Sequence, residues 1–169
     1  MKLKLILLVA MFFAGCGVDI PDGATAVTNF QLDRYLGRWY EIARLDNRFE
    51  RGLTKVTADY SLRSDGTVRV QNRGWNAAEG KWQTIEGKAQ FVDRRDVGRL
   101  KVSFFGPFYA GYNVIALDPN YQWSLVVGSD FDYLWILSRT PTLDSAIVAQ
   151  LVEQARDLGF AVEDLRYVQ

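Results

Sequence analysis

The sequence predicts a mainly β protein: an eight-stranded antiparallel up-and-down β-barrel with one C-terminal α-helix packed on the outside. Three observations predict it. Aromatic residues make up 14% of the chain while Pro is scarce, a balance that favours pleated, half-buried strands. Segments of about eight to ten residues alternate with compact turn signals, the spacing of a barrel or sandwich. Past Thr140 the apolar period changes from two to 3.6, which marks one helix after the last strand.

Strands are expected at residues 38–45, 54–63, 67–76, 81–92, 98–105, 111–117, 123–129 and 133–139. Ser64-Asp65-Gly66, residues 77–80, residues 93–96, Asp118-Pro119-Asn120 and residues 130–132 supply the hairpins, because Gly, Asn and Asp reach the positive φ that tight turns need. Consecutive short hairpins imply an up-and-down order. Leu143, Ile147, Leu151, Ala155 and Leu158 share one helical face, Thr140-Pro141-Thr142 offers an N-cap with Pro in the first turn, and Gly159 fits a C-terminal stop. Residues 160–168 read as a last extended segment that pairs with the barrel.

Residues 1–15 read as a secretory signal. Lys2 and Lys4 precede the apolar run 5–13, and Ala14-Gly15 supplies small residues before Cys16. The run is too short for a permanent membrane span. A cysteine directly after Phe-Ala-Gly resembles a bacterial lipobox, which implies that Cys16 is lipidated and begins the mature chain; a plain signal peptide with an incidental cysteine, or the buried start of a domain, is the alternative. Cys16 is the only cysteine, so no intrachain disulfide can form. Two or more acyl chains at that position would anchor the protein stably, where one would not. Gly17, rather than Asp, follows the cysteine, which resembles outer-membrane sorting in enteric bacteria. The expected location is therefore the periplasmic side of the bacterial outer membrane, with residues 16–29 as the acylated N-terminus and tether and residues 30–169 as the folded domain.

Parity along the strands places Val56, Ala58, Tyr60, Val70, Asn72, Ile85, Ala89, Phe91, Val102, Phe104, Tyr112, Val114, Leu125, Val127, Tyr133 and Trp135 on the inner wall, as candidate ligand contacts. An eight-stranded barrel either fills with side chains or holds one small ligand. Ala58, Gly74, Gly87 and Ala89 at inward positions favour a cavity, and a solid core is the alternative. The open end would be built from residues 46–52, 77–80, 105–110 and 130–132. There Phe49, Phe105, Phe108 and Tyr109 sit where polar residues are the default, either as loop-on-loop packing or as groups that admit a lipid or touch a membrane. Arg48 and Arg51 beside them are either solvated or placed to meet a phosphate or carboxylate head group.

Gly37-Arg38-Trp39-Tyr40 resembles the G-x-W-Y signature of the lipocalin family. It follows residues 30–36, similar to the short helix that closes the lipocalin barrel floor. Asp118-Pro119-Asn120-Tyr121 and Leu137-Ser138-Arg139-Thr140-Pro141 are similar to the family's second and third conserved regions. The runs 44–62, 103–111 and 133–141 resemble the bacterial outer-membrane lipoprotein subgroup. The resemblance covers residues 30–169 and implies a barrel closed at one end by Trp39 and Arg139, both structural. It also implies an apolar ligand, with fatty acids or lysophospholipids favoured for storage or transport in membrane maintenance.

Other function classes fit less well. The chain has no His and no second Cys, and no Gly-x-Ser-x-Gly elbow occurs, so acyl-transfer catalysis lacks its base and nucleophile setting. The carboxylates do not cluster at metal-ligand spacing, so no metal and no cofactor is expected, and haem lacks a histidine ligand. An inward Glu41 with a raised pKa is the one acid–base candidate. Lysines and arginines balance the carboxylates at net charge +0, which gives no nucleic-acid footprint. A structural or interaction lipoprotein with a filled barrel remains the alternative to lipid binding, and a lipid-modifying enzyme is a third reading.

Overall fold

The computed structural model describes residues 17–168; the expected signal segment and Cys16 lie outside them. A short helix α1 (Leu32–Tyr35) leads into β1 (Gly37–Leu45), and seven further strands follow: β2 (Leu53–Leu62), β3 (Val68–Asn76), β4 (Lys81–Phe91), β5 (Arg99–Phe105), β6 (Phe108–Leu117), β7 (Trp123–Val127) and β8 (Leu134–Ser138). Each pairs antiparallel with its predecessor, and β1 pairs with both β2 and β8, so the sheet closes. Closure removes the exposed edges that an open sheet of this length would present.

The strand directions define two ends. α1 and the hairpins at residues 63–67, 92–98 and 118–122 gather at the closed end, and the connections at 46–52, 77–80, 106–107 and 128–133 gather at the open end. β1 and β2 stay in register only from Gly37↔Tyr60 to Tyr40↔Thr57. Beyond that point the C-terminal strand β9 (Leu165–Tyr167) pairs with β1, and Val168 bridges the strands: its N–H donates to Ile42 O, and Lys55 N–H donates to its carbonyl. The C-terminal segment thereby fills the space where the first two strands part.

After β8 comes α2 (Ser145–Asp157), with Leu151 and Ala155 buried. Its N-cap is Asp144, whose side chain accepts from Ala146 N–H, and not the expected Thr140. Thr140 Oγ1 instead donates to Thr142 O (2.6 Å), which spends that side chain on the preceding turn. The helix covers an outer apolar cluster that includes Ile42, Ala43, Leu125, Val127, Leu134 and Ile136. A second cluster lies inside the barrel around Phe30, Tyr35, Trp39, Tyr60, Val70 and Val126.

Residues 17–29, expected as a tether, are stitched to the barrel wall. The Gly17 carbonyl accepts from Ser129 Oγ, and the buried Asn113 Nδ2 donates to Asp19 O (3.0 Å). Further along, Val27 N–H donates to Val114 O and Gly98 N–H donates to Val27 O, both at 2.9 Å. A Cβ at Gly98 would stand 2.9 Å from Val27 Cγ2, so glycine there is what lets the segment lie this close. The buried polar Asn113 and the apolar Ile20, Ala24 and Val27 hold the segment in place, where a tether would stay solvated.

Candidate functional site

The closed end is sealed by aromatic rings and one arginine. Trp39 is fully buried, and its Nε1 donates to Tyr35 O (2.8 Å). The Arg139 guanidinium lies 3.9 Å from the Trp39 ring centre. It donates to the carbonyls of Tyr121, Arg38 and Arg34, so one side chain ties the end of β8 to α1, β1 and the β6–β7 turn. Above this plug three phenols meet: Tyr112 Oη lies 2.8 Å from Tyr35 Oη and 2.9 Å from Tyr60 Oη, and Tyr35 Oη lies 3.1 Å from Ser124 Oγ. Burial pushes Tyr35 up to about 12, partly opposed by its hydrogen bonds to Ser124 and Tyr112; it raises Tyr60 and Tyr112 also. The hydroxyls satisfy one another, and this polar layer floors the barrel.

Toward the open end a second polar group crosses the inner wall. A bulge between Glu41 and Ala43 brings Glu41 and Arg44 onto the same face despite their three-residue separation. Arg44 Nη1 donates to Glu41 Oε1 (2.6 Å), and its Nη2 donates to the carbonyls of Glu50 and Leu53. Glu50 Oε2 accepts from Trp135 Nε1 (2.9 Å) and Asn47 Nδ2 (2.7 Å). Burial, reinforced by the neighbouring Glu50 carboxylate, raises Glu41 well above the ordinary carboxyl range and outweighs the opposing Arg44. The protonated form of Glu41 is thereby favoured over what an exposed carboxyl would show. This acid sits in a structural network with Arg44.

Between the two polar layers lies the apolar wall. The structure places Tyr60, Val70, Ala89 and Val114 in the inner cluster, with Ala58, Phe91, Val102, Phe104, Tyr112 and Trp135 packed against it and still partly accessible. Val56 is buried over Gly74, Asn72 pairs with Ala58 and Ile85, and Tyr133 stacks on Trp135. Ile85 is 38% exposed, on the inner face near the mouth.

Two expected contacts fall elsewhere. Leu125 and Val127 belong to the outer cluster under α2, and their neighbours Ser124 and Val126 face the interior. A bulge between Val114 and Ala116 shifts the phase from β6 to β7, and the helix makes the outer face of β7 as apolar as the inner one. Alternation there carries no information. The small residues also mean something different from what was expected: a Cβ at Gly87 would stand 2.7 Å from Phe104 Cδ1, and one at Gly74 3.1 Å from Leu53 Cβ. Those spaces are occupied by neighbouring side chains. At the mouth, Arg51 pairs with Asp46 (3.0 Å), and Arg48 lies 4.7 Å over the Phe49 ring.

Residues 30–169 match the family model described as a lipocalin-like domain. The chain belongs to the lipocalin family. It is 57% identical over 149 residues to the outer membrane lipoprotein Blc of Escherichia coli K12, covering 88% of this chain and 84% of that one. It is 46% identical over 170 residues to the protein of the same name from Vibrio cholerae, covering 100% and 99%. Among solved structures, insecticyanin from the tobacco hornworm superposes with a TM-score of 0.71 at 18% identity, covering 90% of this chain and 87% of that one; this shows the shared fold. Lipocalins bind small hydrophobic ligands, and this lipocalin is a binding protein rather than an enzyme. Its location is that of its bacterial relatives, the outer membrane.

Proposed function

We propose that this lipocalin is a lipid-anchored carrier: Cys16 is acylated and holds the chain on the periplasmic side of the outer membrane, and the barrel takes the acyl chain of a fatty acid or lysophospholipid for storage or transport. The observation that carries the reading is an inner wall whose apolar groups Val102, Phe104 and Trp135 remain partly accessible above a sealed floor. Burial of an acyl chain against such a wall gains about 0.8 kcal/mol per methylene, so few polar contacts are needed. The filled spaces at Gly74 and Gly87 favour the second reading, a structural lipoprotein with a solid barrel.

Native mass spectrometry of the protein purified from its own membrane, with extraction and identification of any lipid, separates the two. A stoichiometric single-chain lipid is the expected result. A ligand-free protein that also takes up no fluorescent fatty acid at high micromolar concentration would leave the structural reading.

A further inference from the structure

The exposed apolar side chains are unevenly placed. Phe49, Phe105 and Phe108 are 59%, 64% and 65% exposed, and all three sit at the open end, Phe49 on a connection and the other two at the strand ends that flank residues 106–107. Phe105 and Phe108 face each other across the β5–β6 hairpin. Trp82, also exposed, is the second residue of β4 beside the same rim, with the Arg73 guanidinium 4.2 Å over its ring. Aromatic groups next to cations are what a bilayer interface accommodates, since the ring enters the acyl boundary while the charge stays among head groups. The closed end is different: among the described residues its exposed side chains form ion pairs such as Arg94–Asp96 and Lys88–Asp65, and Leu62 is its one large exposed apolar group.

The path of residues 17–29 supplies an independent observation. The segment leaves the closed end near Asn29, climbs the wall and reaches Gly17 at the open end, where Ser129 of the β7–β8 connection holds the Gly17 carbonyl. Cys16 is the next residue in the chain, and consecutive Cα atoms are about 3.8 Å apart. The described chain thus begins at the mouth, so the proposed anchor, attached just before Gly17, would meet the bilayer on that side.

We infer that the open rim is a membrane-docking face: Phe49, Phe105 and Phe108 enter the interface of the bilayer that receives the anchor, so the mouth opens onto lipid. The inference rests on the proposed acylation of Cys16. The anchor supplies the affinity, and the three rings set the orientation, because surface rings alone bind reversibly while multiple acyl chains hold permanently.

The test uses the full-length lipidated protein in vesicles of phosphatidylethanolamine and phosphatidylglycerol. An environment-sensitive fluorophore is attached at Phe105→Cys and, separately, at Ser64→Cys on the β2–β3 hairpin of the closed end. Brominated lipids in the vesicle should quench the label at 105 at least about twofold more than the label at 64. Equal quenching at the two positions with the protein vesicle-bound overturns the docking face and leaves the anchor standing. Protein that floats free of the vesicles overturns the anchor, and the inference with it. Because a label can itself seek the bilayer, the unlabelled triple variant Phe49→Ser, Phe105→Ser, Phe108→Ser gives a second measurement. It should transfer lysolipid from vesicles several-fold more slowly than wild type while keeping its affinity for monomeric ligand in solution. An unchanged transfer rate also overturns the docking face.

Discussion

Arg139 lies over Trp39, its guanidinium carbon 3.9 Å from the ring centre, while its nitrogens hold three backbone carbonyls from α1, β1 and the β6–β7 turn. The pair closes the barrel mechanically and electrostatically. Trp39→Ala should cost about 3–5 kcal/mol, typical of removing a large buried ring. Arg139→Lys should also destabilise, since one ammonium cannot reproduce a planar fork on three acceptors. Denaturation midpoints for both variants and their combination form a double-mutant cycle, and the cation–π share should be about 0.5–2 kcal/mol.

Glu41 makes stability depend on pH. Its folded pKa is raised above the ordinary 4.5, so the folded chain binds the extra proton and the contribution is fully present below about 4.5. It is lost as pH rises through the folded value. Glu41→Gln keeps a neutral donor toward Glu50 and removes the titration. The variant should show a flatter stability profile above pH 4.5 than wild type; an identical slope would mean that Glu41 is already ionised.

Tyr112 is the hub of the phenol layer, in contact with both Tyr35 and Tyr60 through its hydroxyl. Tyr112→Phe leaves two buried hydroxyls short of a partner and should cost about 1–3 kcal/mol. Spectrophotometric titration of wild type should find these phenols silent at pH 10, with Tyr35 ionising only near 12.

Asn113 is the clamp on the N-terminal segment, donating to Asp19 O and to Gly128 O from a fully buried position. Asn113→Ala should cost about 1–3 kcal/mol, because both carbonyls lose a donor. Amide hydrogen exchange across residues 17–29 should accelerate more than exchange in β3 or β4.

Val102 separates an open cavity from a filled one. It faces Ala89 and Ala110 on the inner wall and is only partly buried. Val102→Trp in an open barrel should displace lipid at least tenfold while costing less than the roughly 1–3 kcal/mol of overpacking a dense core. Strong destabilisation in a protein that binds no lipid would identify a solid barrel.

Much of this fold was legible in the sequence because its signals are local. Strand positions follow from alternation and turn residues, and the helix follows from its stripe. What was illegible depended on irregularity or on distant partners. The bulge at Glu41/Ala43 turns Arg44 inward, and parity alone would put it outside. β7 reads apolar on both faces, since α2 covers its outer side, so alternation alone does not place Leu125 and Val127 under the helix. Residues 17–29 look like a linker, and only the fold brings Asn113, Ser129 and Gly98 to meet them.

That stitched segment also sets how far the protein can roam. A free chain from Gly17 to Asn29 would have a root-mean-square span of about 20 Å and could pay out to roughly 45 Å when pulled straight. Laid along the wall, it has no slack. With the proposed anchor on Cys16, a barrel held this way would not patrol the periplasm on a leash, so any cargo exchanged with a distant partner would require that partner to come to the membrane.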